Sequence, residues 1–90
     1  MKFEWNRQKA KSNMRKHRVS FAEAVTVFDD PWLIMISDPD HSDEEERWLL
    51  IGESNRLRLL VVIYTEKGNR IRLISARGAT KAERRAYEEG

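Results

Sequence analysis

From its first residues the chain alternates in polarity: Lys2, Phe3, Glu4 and Trp5 put two aromatics on one side of a short strand. Asn6 then offers an N-cap to a basic helix over residues 7–17. The inward stripe of that helix is Ala10, Asn13, Met14 and His17, so weakly apolar that neighbours must hold the helix as much as its own burial does. Ser20 followed by Glu23 predicts a capping box, and Phe21, Ala24, Val25 and Phe28 recur at helical spacing, predicting a second helix that stops before Asp29, Asp30 and Pro31. From Trp32 onward the period shortens toward two. Four β-rich runs, about 32–37, 46–53, 57–66 and 70–77, are joined by one long acidic loop and two hairpin-length connections, which predicts an antiparallel meander. The run 57–66 is apolar on both faces in its middle and reads as a central strand covered by helices on at least one side. Thr80 and Glu83 form another capping box, opening a C-terminal helix whose packing face is Ala82, Ala86 and Tyr87. The expected fold is a single α+β domain over residues 1–90. Two N-terminal helices and a C-terminal helix pack around an antiparallel sheet of about four strands plus a short N-terminal strand.

Composition narrows the class. The chain has 90 residues, 40% of them hydrophobic, and its longest unbroken apolar run is residues 59–64. A membrane span needs ~20 such residues, so a soluble protein is expected. The start MKFEWNRQK lacks the apolar centre of a secretory leader, which makes the cytoplasm the expected location. With no cysteine, disulfide scaffolds, thiolate zinc sites and cysteine nucleophiles are excluded.

Net charge is only +2, but its distribution is uneven. Residues 1–18 carry seven bases and one acid, residues 19–46 nine acids and no base, and residues 47–90 ten bases and five acids. Such asymmetry points toward nucleic acid or a charged partner. Eleven of the 17 bases are arginine, the better fork for phosphate.

The acidic loop, with Asp38, Asp40, His41, Asp43, Glu44, Glu45 and Glu46, invites a cation, because hard metals want several carboxylate oxygens. The calcium-loop pattern fails, however, since its sixth place is Asp43 rather than Gly and its twelfth is Leu49 rather than Glu. A solvated loop is the preferred reading, and no metal or other cofactor is expected. No Gly-rich phosphate loop, His-x-x-x-His pair or Ser-centred elbow is present. What remains is cationic. Arg47, Arg70, Arg72 and Arg77 lie in or beside strands, and Lys9, Lys16 and His17 lie on the first helix. Such an array suits phosphate binding and stabilisation of a charged transition state, and equally well plain RNA binding or carboxylate pairing.

Alternation in the last strand sets Arg70 and Arg72 apart from Arg77, so Arg72 and Arg77 need not share a site unless one lies beyond a bulge or at the sheet edge. A three-residue loop at 67–69 would set Glu66 opposite Arg70 and Tyr64 opposite Arg72; a two-residue loop would reverse the parity. The bland role of Glu66 is a cross-strand salt bridge with Arg70, and that of His17 a hydrogen bond at its helix end. Trp5, Trp32 and Trp48 read as core or interface.

Taken in order, FEWN with a following Lys9, then KHRVSFAEAVTVFDDP, a loop ending EERW with IG, and LLVVIYTEKGNRIRLISARGATKAERRAYE resemble the BrnT family of type II toxin–antitoxin ribonuclease toxins over residues 3–88. The resemblance implies a RelE-like fold and an endoribonuclease whose RNA cleavage blocks translation. It also implies a ribbon-helix-helix DNA-binding antitoxin, BrnA, which neutralises the toxin; the complex represses its own operon, touching DNA only through the antitoxin. A two-toxin, two-antitoxin assembly, with a toxin dimer inside a heterotetramer, is the implied stoichiometry. The family's prominent polar positions fall on Lys16, His17, Arg47, Glu66, Arg72 and Arg77. One departure concerns the glycine that usually follows Lys-His: here that place is Arg18, so either the turn is built differently or Arg18 takes a positive φ.

The expected reaction is attack of the RNA 2′-hydroxyl on its own phosphodiester without a metal. Arg72 and Arg77, with Arg47, would stabilise the charge, and His17 or Glu66 would move the proton. Lys9, Lys16, Arg47 and Arg70 are the expected substrate-binding residues. The alternative is a non-enzymatic module that binds RNA or antitoxin and serves as a corepressor.

Overall fold

A computed structural model of the chain describes residues 1–37 and 46–90. The carboxylates weighed above as a cation site, with His41, fall within residues 38–45, outside the described residues, save Glu46. Along the chain run β1 (Lys2–Glu4), α1 (Arg7–His17), α2 (Phe21–Thr26), a 3-10 turn (Val27–Asp29), β2 (Ile34–Ser37), β3 (Arg47–Glu53), β4 (Leu59–Lys67), β5 (Arg70–Gly78) and α3 (Lys81–Glu89).

The strands form one sheet in the order β1-β5-β4-β3-β2. β2 to β5 are the antiparallel meander the sequence predicts, but β1 joins the far edge parallel to β5, so the sheet is mixed and five-stranded rather than antiparallel. The aromatics explain that edge. Phe3 stands beside Ile71 in register and stacks edge-on against Phe28 at 5.0 Å, and Phe28 against Tyr64 at 5.1 Å, so burying Phe3 requires β1 to lie along β5.

The helices are also distributed differently from the expectation. α1 and α2 cover one face, where Val19, Phe21, Ala24 and Val27 pack on Leu50, Leu60, Val62, Tyr64, Ile71, Leu73 and Ala76. α3 lies alone on the opposite face, over the smaller cluster of Ile51, Leu59 and Val61, to which it contributes Tyr87. None of its residues is buried. Gly52 permits close approach of β3 to the 3-10 turn, since a Cβ there would stand 2.8 Å from Val27 Cγ1.

Helix ends follow the sequence with one correction. Asn6 Oδ1 accepts from the amides of Gln8 and Lys9 at 2.8 and 3.1 Å. Thr80 and Glu83 make the complete capping box. At α2, however, only half of the predicted box forms: Ser20 Oγ accepts from the Glu23 amide, while the Glu23 carboxylate turns inward to Arg58 and to Ser54 Oγ. A buried carboxylate gains more from a guanidinium than from one exposed amide.

The inward stripe of α1 is narrower than predicted. Asn13 is its only buried residue; Met14 is 44% exposed, and His17 projects to solvent. Past Arg72, the edge of β5 has no strand beside it, and the Asn13 carboxamide takes that place. Its Nδ2 donates to the carbonyls of Ala76 at 2.8 Å and Val19 at 2.9 Å, and its Oδ1 accepts from the Ala76 amide at 3.0 Å. α1 is thus anchored by a side chain that imitates a peptide group. After His17 the chain turns through Arg18 at φ 59°, ψ 33°, a left-handed C-cap occupied by an arginine.

Candidate nucleic-acid interface

The β4–β5 hairpin turns through two residues, Gly68 at φ 63° and Asn69, so Lys67 pairs with Arg70, Glu66 with Ile71 and Thr65 with Arg72. The register then slips: Tyr64 pairs with Leu73 but Ile63 with Ser75, leaving Ile74 as a bulge. That extra residue inverts the parity of everything after it. Leu73 and Ala76 both reach the helix-covered core, and Arg70, Arg72 and Arg77 all project from the other face. An unbulged strand would have aimed Arg77 into the apolar layer with Ile71 and Leu73, at the heavy cost of burying an unpaired charge.

On this open face the registers align Arg47, Thr65, Arg72 and Glu4 in one row across four strands. Strand spacing makes such a row about 14 Å long. Lys67, Arg70 and Lys2 form the next row on the same face. Two contacts cross between strands: Arg72 Nε lies 3.4 Å from Glu4 Oε2 and Arg70 Nη1 3.8 Å from Glu4 Oε1. Together Glu4, Thr65, Lys67, Arg70 and Arg72 line a shallow groove of about 210 Å³. Five cations thus share two rows with a single acid, a positive surface held on rigid strands.

Arg77 belongs to the same face but not to the same place. Its β4 partner is Val61, four residues from Thr65, or about 13 Å along the strand. Both terminal nitrogens donate to Glu83 at 2.8 Å, and Nη1 also reaches the Gly78 carbonyl at 3.2 Å. The Arg77 fork, helped by the Thr80 amide, holds the Glu83 carboxyl down at about 2. α3 has a second polar clasp. Tyr87 Oη donates to Asp30 Oδ2 at 2.6 Å, and that carboxylate, with partial burial, pushes the phenol up to about 12.

The remaining predicted residues stand elsewhere. His17 lines a separate groove of about 370 Å³ with Arg58, Leu60, Ala79 and Arg84. Leu60 is five residues from Thr65, so this groove opens about 17 Å away, at the opposite end of β4. Arg58 is already bonded to Glu23 and to the Arg18 carbonyl, and that guanidinium, despite burial, holds the Glu23 carboxyl below its usual range. Arg84 has no ion pair among the described residues. Glu66, opposite Ile71, falls on the helix-covered face, turned away from Arg72, and Arg70 pairs with Glu4 in its stead. Lys9 and Lys16 are exposed on α1, which packs on that same covered face. Arg47, Arg70 and Arg72 are therefore brought together, Arg77 lies farther along their face, and His17, Glu66, Lys9 and Lys16 lie apart from them.

Of the tryptophans, Trp48 packs against the larger core cluster, whereas Trp5 stacks on Phe21 at 5.9 Å and Trp32 is 76% exposed. Sequence reading missed Glu4, Thr65 and Lys67 in the arginine rows and Arg58 and Arg84 beside His17. No helix is long and apolar enough to cross a membrane, and no group of three or more His, Cys, Asp and Glu fit to hold a metal occurs, both among the described residues.

Comparison with known proteins agrees with this architecture. The family model described as the ribonuclease toxin BrnT of type II toxin–antitoxin systems matches residues 5–83. The 1.1 Å crystal structure of the Brucella abortus ribonuclease toxin BrnT superposes with a TM-score of 0.67 at 28% sequence identity, covering 90% of this chain and 99% of that one. No curated relative matches significantly.

Proposed function

The chain belongs to the BrnT family of ribonuclease toxins of type II toxin–antitoxin systems, and from that premise we propose that it is an endoribonuclease which cleaves RNA across the open sheet face, without a metal, and so inhibits translation. The observation that carries this reading is the row that sets Arg72 in line with Arg47, with Arg70 in the next row of the same face. Guanidinium forks fixed on strands neutralise charge as it builds on phosphorus, the contribution a metal makes in other nucleases. Arg72 and Arg47 grip the scissile phosphate, Arg70 and Lys67 hold its neighbour, and Arg77 borders the face while fixing α3. Lys9 and Lys16, on α1 over the other face, stand outside this contact.

The test is direct. Purified protein should cut single-stranded RNA in EDTA, and Arg72→Ala should remove both cleavage and growth inhibition while the fold persists. Intact RNA, or undiminished toxicity of the variant, refutes the proposal.

A second reading places the chemistry in the groove of His17 and Arg84. The imidazole is suited to exchanging protons near neutrality, and Arg84 is the guanidinium there not committed to a carboxylate. Loss of cleavage in His17→Ala with full activity in Arg72→Ala selects it.

We further propose a ribbon-helix-helix antitoxin that neutralises the chain and carries its only contact with DNA, in an assembly of two toxins and two antitoxins in the cytoplasm. Co-expression with the neighbouring gene, followed by light scattering of the complex, checks both partner and stoichiometry.

A further inference from the structure

We propose that Glu4 is the proton acceptor of the arginine face, taking the proton from the RNA 2′-hydroxyl as it attacks phosphorus. The inference rests on the reading of that face as the site of RNA cleavage.

The three acids that pair with arginine among the described residues, Glu4, Glu23 and Glu83, differ in kind. Glu83 receives both nitrogens of Arg77 at 2.8 Å and closes a capping box, and Glu23 is buried against Arg58 and Ser54. Both are saturated structural pairs. Glu4, by contrast, stands 3.4 and 3.8 Å from its arginines, beyond good hydrogen-bond length, with its side chain 41% exposed on the groove. Its lone pairs remain available to an incoming hydroxyl.

A carboxylate in the middle of a phosphate-binding surface weakens phosphate binding by charge repulsion. As mere neutraliser of Arg70 and Arg72 it would gain by closing on them, yet it stays open. With the scissile phosphate held by Arg72 and Arg47, the Glu4 carboxylate, next to Arg72 in the same row, stands beside the place of the attacking 2′-hydroxyl. Among the described residues, the competing proton carriers Glu66 and His17 are remote: Glu66 faces the other side of the sheet and His17 lies about 17 Å along it. The charged groups facing Glu4 are Arg70 and Arg72, with Lys67 in the same groove and Lys2 in the adjoining row.

The step balances as a transesterification. The carboxylate takes the 2′-hydroxyl proton while the 2′-oxygen bonds to phosphorus. The bond from phosphorus to the 5′-oxygen breaks, and that oxygen is protonated from water. The carboxylic acid returns its proton to solvent, leaving a 2′,3′-cyclic phosphate and a 5′-hydroxyl.

The experiment compares the full-length chain with Glu4→Gln, Glu4→Asp and His17→Ala. Cleavage of a single-stranded RNA is followed across pH, binding uses the same sequence with uncleavable 2′-deoxy residues, and melting temperature reports the fold. Glu4→Gln should cut about 100-fold or more slower. It should bind the deoxy analogue at least as tightly as the parent, lose the fall in rate that the parent shows on acidification, and be partly rescued as Glu4→Asp. Cleavage by Glu4→Gln within fivefold of the parent overturns the proposal and leaves the arginine face standing. Equal loss of binding and cleavage makes Glu4 a residue that positions the arginines rather than the base and likewise overturns the proposal, as does transfer of the pH effect to His17→Ala. A parent chain that cleaves nothing removes the reading of the face and this proposal together.

Discussion

Removing the charge of Glu83 tests how α3 is held. The helix buries none of its residues, so its attachment depends on the Arg77–Glu83 pair, the Tyr87–Asp30 bond and modest apolar contact. Glu83→Gln is the informative change, because glutamine at this position still closes the capping box and only the charge is lost. The folded carboxyl is held at about 2 against an ordinary 4.5. At 1.36 kcal/mol per unit that is roughly 3 kcal/mol at most. Because Arg77 keeps a third of its side chain in solvent, screening reduces this to about 1–2 kcal/mol. A depressed carboxyl stabilises the fold above its unfolded value, and the contribution fades as pH falls from about 4.5 toward 2. Parent and variant should therefore differ by about 5–15 °C in melting temperature at pH 7 and converge only as pH falls through about 2. A gap below 2 °C at pH 7, or one that does not shrink with acid, refutes the assignment of this ion pair as the clasp.

Three further outcomes follow from the geometry. Asn13→Ala leaves both polar groups of Ala76 and the Val19 carbonyl without partners and should cost about 3 kcal/mol, read as a melting temperature at least 10 °C lower; a change under 3 °C would falsify the edge-pairing role. Arg18→Gly relieves a left-handed residue while keeping the carbonyl that accepts from Arg58, and should raise the melting temperature by roughly 2–5 °C, whereas a fall would show the arginine side chain to be holding the turn. Arg72→Ala, at a side chain 62% exposed, should leave stability within about 0.5 kcal/mol and lower the slope of log affinity against log salt by about 0.7 in filter binding to single-stranded RNA; an unchanged slope places the phosphate elsewhere.

Much of the fold was legible in local pattern. α1 occupies residues 7–17 as read, because Asn6 is an unambiguous cap, and the four strands of the meander fall within two residues of the predicted runs. The failures are those of distance. Nothing near residue 4 says that β1 will pair with residue 70, so neither the parallel edge nor the position of Glu4 could be read. Glu23 looked like a capping residue because its competitor, Arg58, is 35 residues away. The Ile74 bulge has no glycine or proline to announce it, so alternation set Arg77 apart from Arg72, and the bulge unites their faces while keeping them about 13 Å apart. Asn13 and His17 read as equivalent members of one stripe. Only the unpaired edge of β5 separates an anchored amide from a free imidazole.

The parallel pairing of Lys2 with Arg70 also bears on when the positive face forms. A nascent polypeptide presents β1 before β5, and the rows joining Glu4, Arg72, Thr65 and Arg47 cannot close until β5 has left the ribosome, after α1, α2 and β2 to β4. The positive face is thus completed only when β5 takes its place between β1 and β4. Until then a growing chain carries its arginines on separate, unaligned segments, with no aligned rows to offer a phosphate backbone.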